Sequence, residues 1–161
     1  MRDLSNNIVP ANSIINATKT AAANGTGVDL QGYESAMVVV SVGAEGDTLA
    51  ANLYFQISLE HSDDNSTYTD CAQADIIDGT IAADGVFLIL DGTGTAGSSD
   101  GNPDTVGGTW WIGYVGGKRY VRAVIAKSGT HSNGTPMSVL VLKGNARSSD
   151  CLLYTSDAAD E

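Results

Sequence analysis

Apolar and polar residues alternate with a period of two along several short stretches of this chain. Leu53, Phe55, Ile57 and Leu59 alternate with Tyr54, Gln56, Ser58 and Glu60, which predicts a strand with one buried face and one wet face. The residues that follow, Ser62 to Ser66, tolerate turn dihedrals and hydrogen-bond their own backbone, and Thr67, Tyr68 and Thr69 then start a return strand. Farther on, Val121, Ala123 and Ile125 alternate with Tyr120, Arg122 and Val124. A run at 110–115 and the pair Gly116-Gly117 precede this segment, which predicts a second hairpin whose glycines take positive φ in a tight turn.

The run AMVVVSV at 36–42 is apolar on both faces and rich in β-branched residues, as expected of a central strand buried between two layers. Shorter apolar runs at 86–90 and 137–142 predict two more strands, and 13–20 a first strand, with a short helical turn at 21–23 as the alternative. Residues 1–12 are polar apart from Leu4, Ile8 and Val9, and Pro10 has no N–H to give a ladder, so they read as an extended N-terminal arm. Residues 91–108 are too rich in glycine to pack and predict a long loop, functional or disordered. The whole predicts an all-β, single-domain antiparallel β-sandwich over 13–150, jelly-roll-like or Ig-like, with seven or eight short strands. Val38, Val40, Phe55, Ile57, Leu59, Val121, Ile125, Val139 and Val141 are its expected core.

Charge narrows the partners. The chain carries 8 Lys and Arg against 19 Asp and Glu, a formal net charge of −11, which argues against a nucleic-acid surface or an anionic membrane. No apolar run approaches the ~18 residues a spanning helix needs, and the first residues lack a signal-peptide core, so a cytoplasmic, soluble product is expected. Four Asn-x-Ser/Thr sequons, at Asn16, Asn24, Asn65 and Asn133, are then turn chemistry and not glycan acceptors.

Residues 151–161 (CLLYTSDAADE) resemble the conceptual translation of a transposase-type sequencing adapter, which implies a non-native tail on a chain from an environmental (metagenome) assembly. The natural sequence is expected to reach about Asp150 and continue beyond it. Without Asp157, Asp160 and Glu161 the net charge of −11 becomes −8, and without Cys151 the remaining Cys71 is a lone thiol, expected as a small buried hydrophobe.

The chemistry-bearing residues are few. There is no Gly-x-Ser-x-Gly elbow, Walker loop, His-Glu-x-x-His or Cys-x-x-Cys, and no catalytic residue, metal ligand or cofactor is assigned. His61, followed by Ser62, Asp63 and Asp64, has the composition of a base with carboxylate orienters but reads better as the mouth of a solvated hairpin. Asp100, Asn102 and Asp104 imitate the opening of a calcium loop, yet Trp111 stands where the bidentate Glu belongs. Trp110 and Trp111 form a candidate glycan contact, although adjacent strand residues face opposite sides, so one is expected in the core and the other on the sheet surface.

Four stretches, MRDLSNNI at 1–8, ANGTGVDLQGYES at 23–35, LEHSDDNSTYTD at 59–70 and GYVGGKRYVRAVI at 113–125, together resemble a group of small tailed-bacteriophage structural proteins typically encoded near the major capsid gene. The loop at 91–108 departs from that pattern. The resemblance implies a non-enzymatic virion protein, a head decoration or spike or a neck or tail component, assembled in the host cytoplasm. Its expected partners are copies of itself and capsid or tail proteins, with Leu4, Ile8 and Val9 as interface residues. A host-glycan-binding module on the virion surface is the alternative.

Overall fold

The computed structural model describes residues 7–92 and 107–146. Leu4, the calcium-like run at 100–104, residues 93–106 of the expected loop and the 151–161 tail lie outside the described residues.

Among the described residues, eleven strands build two antiparallel sheets. Seven are long: β1 (Ile8–Lys19), β4 (Tyr33–Val42), β5 (Tyr54–Ser62), β8 (Val86–Leu90), β9 (Gly108–Tyr114), β10 (Tyr120–Ser128) and β11 (Thr135–Ala146). The other four, β2 (Ala23–Asn24), β3 (Val28–Asp29), β6 (Thr69–Asp70) and β7 (Ile76–Ile77), have two residues each, too few to leave a periodic signature, and they raise the count above the seven or eight expected. The five-stranded sheet has the order β1-β11-β4-β9-β7. The six-stranded sheet runs β2-β10-β5-β6, with β3 also on β10 and β8 also on β5.

The two sheets close over one core, a β-sandwich in which alternate residues of each strand meet those of the other layer. Val38, Val40, Ile112, Val139 and Val141 come from one sheet, and Phe55, Ile57, Leu59, Leu90, Val121 and Ile125 from the other, all without exposed surface. Every expected core residue is among the buried ones.

Three local expectations are corrected. Gly116-Gly117 does not close a hairpin: β9 pairs β4 and β7 in one sheet, whereas β10 pairs β5, β2 and β3 in the other. The glycine pair carries the chain across the sandwich, and neither glycine has positive φ. Trp110, Ile112 and Tyr114 thereby face Val121, Ala123 and Ile125 across the core. Secondly, the expected arm is strand from Ile8 onward, paired with β11 from Ile8↔Gly144 to Lys19↔Thr135. Pro10 is tolerated there because β1 is an edge strand. Thirdly, β4 is central in its sheet but not buried on both faces: Val38, Val40 and Val42 are interior, while Met37 is 36% exposed and Val39 half-buried.

Bulges in β1 around Ile14 turn Ser13 inward. Its hydroxyl donates to the Thr26 carbonyl at 3.1 Å and accepts from the Ala123 N–H at 2.9 Å, tying the edge of one sheet to the other. Between β10 and β11, Gly134 takes φ +70° with its N–H donated to Asp47 at 2.7 Å, a backbone conformation that a side chain would strain.

Candidate functional site

Residues directly opposite one another in a ladder share a face, so the outer surface of the five-stranded sheet can be read from its register. One row is Asn12, Leu140, Val39 and Trp111. The next is Pro10, Leu142, Met37, Gly113 and Ile77. They are flanked by Ser138, Ser41 and Thr109 on one side and by Ile8, Gly144 and Ser35 on the other. None of these positions is Asp, Glu, Lys or Arg. Trp111 is 55% exposed, Ile77 52% and Met37 36%, with Val39, Leu140 and Leu142 half-buried between them. Gly113 leaves the space over which Ile77 lies, since a Cβ there would collide with the Ile77 side chain.

The outer surface of the six-stranded sheet has the same alternation and the opposite chemistry. Arg122 of β10 sits opposite Glu60 of β5, which sits opposite Asp70 of β6. The Arg122 guanidinium donates to Glu60 at 2.7 Å and stacks 3.8 Å from the centre of the Tyr68 ring. At the sheet's edge Arg119 grips Asp29 with two hydrogen bonds of 2.9 and 2.7 Å, and this partner holds the Asp29 carboxyl at about 2, below its ordinary 3.8. Asp64 in the β5–β6 turn accepts the N–H groups of Thr67 and Ser66 and the Ser62 hydroxyl, which likewise hold it at about 2.

A cavity of about 460 Å³ opens at one end of the sandwich, where the segment around Tyr33 meets the crossover from Tyr114 to Arg119. The cations around it are engaged. Lys118 is paired with Asp63, Arg119 with Asp29, and Lys143 lies 4.6 Å from the centre of the Tyr33 ring.

The two histidines are packed side chains. His61 is buried, not at a solvated hairpin mouth: its Nδ1 lies 3.1 Å from the Tyr114 hydroxyl, and the rings meet edge-on. That hydroxyl also accepts the Lys118 N–H at 3.2 Å, and burial pushes its pKa up. His131 stacks on Phe55 with ring centres 3.9 Å apart and donates from Nε2 to the Ser128 carbonyl at 3.1 Å, which leaves Nδ1 facing Asp47 at 4.0 Å. Cys71 is fully buried, and desolvation pushes its thiol far above the usual range.

Of the residues singled out in the sequence, Trp110 is 5% exposed and packs in the core, while Trp111 stands on the outer face. Ile8 belongs to the flank of that face, whereas Val9, 41% exposed, lies in the row of Lys143, Ala36 and Tyr114 on the opposite side of the sheet. Met37, Val39, Ile77, Leu140 and Leu142 had not been singled out as contact residues. The apolar run at 36–40 marks Met37 and Val39 as apolar positions on the second face of β4, without saying what covers that face. Among the described residues no cluster of three or more His, Cys, Asp or Glu could hold a metal ion, and no helix is long and apolar enough to cross a membrane. No family model, curated protein or solved structure matches the chain.

Proposed function

We propose that this protein is a non-enzymatic structural component of a tailed-bacteriophage particle, which binds its neighbours through the outer face of the five-stranded sheet. The observation that carries the reading is the charge-free apolar surface on Trp111, Met37, Val39, Ile77, Leu140 and Leu142, in a chain of net charge −11. Such a face is unfavourable in water and gains about 25 cal/mol per Å² when covered. The resemblance of residues 1–8, 23–35, 59–70 and 113–125 to small phage structural proteins supplies the setting, with capsid or tail proteins and further copies of the chain as partners. Nucleic acid and anionic membrane are disfavoured as partners by the acidic charge.

The test is co-sedimentation of the purified protein with capsids and tails of the phage that encodes it. Wild type pellets with one of the two, and Leu142→Glu, which places a charge in the middle of the face, pellets less. If both proteins stay in the supernatant, the reading is wrong. A second reading, a host-glycan contact, is favoured by one observation only, the exposed Trp111 indole on the outer sheet face. It predicts that oligosaccharides quench tryptophan fluorescence, and that Trp111→Ala abolishes the effect.

A further inference from the structure

Resting on that docking reading, we infer that the outer face of the five-stranded sheet is covered by a second copy of this chain, packed face to face about a two-fold axis. Charge decides first. Each copy carries −11, so a contact through charged surface sets like charges against one another. The outer face of the six-stranded sheet presents Glu60, Asp70 and Arg122, whereas the rows around Met37 and Trp111 present no charge of either sign. That surface has nothing to complement a basic or acidic partner, and it is a face on which two acidic copies approach without direct repulsion.

Shape agrees. A two-fold contact uses one patch twice, so the patch must hold both its protrusions and the hollows that receive them. Trp111 and Ile77 protrude, while Ser41 with Ser138, and Ser35 with Gly144, leave low ground on either side.

The sheet edges do not offer the same opportunity. β1 carries Pro10 and two register shifts and is tied down at Ser13, and β7 has only two residues, so neither terminal strand offers a long regular edge for strand addition.

Area sets the strength. Five strands about 4.8 Å apart and four rows about 6.8 Å apart span roughly 400 Å² per copy. Two copies then bury roughly 800 Å², half of a standard interface, so the dimer is weak and exchanges with monomer.

Sedimentation equilibrium of the full chain, from about 5 µM to about 500 µM and with reductant to keep Cys151 from linking chains, tests this. The wild-type mass is expected to climb from 16.6 kDa toward twice that value. Trp111→Glu is expected to remain at one chain mass over the whole range with an unchanged melting temperature, and Gln56→Glu, on the other sheet's outer face, to associate like wild type. Met37 lies on the central strand, so mixing Met37→Glu with Met37→Lys should restore the association that each variant loses alone. A wild-type protein that stays monomeric at about 500 µM yet sediments with phage particles overturns the second copy and leaves the docking reading standing. A dimer that ignores particles does the reverse. Dimerisation of Trp111→Glu at wild-type strength overturns the assignment to this face.

Discussion

The two outer faces of the sandwich are built on the same backbone alternation and have opposite relations to water. On the six-stranded sheet, the polar side chains of Tyr54, Gln56, Ser58 and Glu60 are half-buried, with Glu60 held by Arg122 under the Tyr68 ring. On the five-stranded sheet, the corresponding positions are Met37, Val39, Leu140, Leu142 and Trp111, which have no polar group to offer beyond the indole N–H. Folding needs only one apolar face per sheet, so the second apolar face is surplus to the fold and points to a contact.

The largest effect expected distinguishes inside from outside. Phe55→Ala removes a ring with no exposed surface, stacked on His131, and should destabilise by about 3–5 kcal/mol in a urea titration. Tyr54→Ala, one residue away on the polar outer face, should cost about 1 kcal/mol. Equal costs would mean that the six-stranded sheet is covered on both sides, and the comparison would collapse.

Next come the outer faces themselves. Arg122→Ala breaks the ion pair with Glu60, whose side chains are 21% and 20% exposed, and also the stack on Tyr68. It should cost about 1–2 kcal/mol. Trp111→Ser on the opposite face should stay within about 0.5 kcal/mol in dilute protein. A loss for Trp111→Ser as large as that for Arg122→Ala would show that Trp111 serves the fold.

How far these faces were legible depends on how local the signal is. The alternation from Leu53 to Leu59 predicted its buried side, and Phe55, Ile57 and Leu59 lie there without exposed surface. The run at 36–42 is apolar on both faces, and its composition alone does not distinguish a strand between two layers from one whose second face is surface; the neighbours that decide, Leu140 and Trp111, are about 70 to 100 residues away. The same non-locality hides the crossover at Gly116-Gly117, because strands on either side of an arch and of a hairpin alternate alike. That one tryptophan faces in and the other out followed from the period. Which one does so required the register of β9 on β4.

The smallest effect is electrostatic and one-sided. Asp29 and Asp64 both lie on the six-stranded side, and both have folded-state values of about 2, below the ordinary 3.8. A depressed carboxylate contributes stability that is present above its unfolded value and lost as pH falls through the folded one. The urea midpoint should therefore hold steady as far as these groups go from pH 7 to about 5, and fall between about pH 4 and pH 2. Asp29→Asn and Asp64→Asn should each shallow that fall. The rows around Met37 hold no Asp, Glu, Lys or Arg, so substitutions there should leave the shape of the profile unchanged.

The claim that the charge-free face is a contact surface is tested most directly at Trp111. The chain has two tryptophans, and Trp110→Phe leaves Trp111 as the sole reporter, placed in the face itself. Acrylamide, an uncharged quencher, should reach the indole freely in dilute protein and be shut out when the protein is concentrated or mixed with capsids or tails. Quenching of Trp111 that is equally strong in all these conditions would mean that the face stays wet, and would contradict the account.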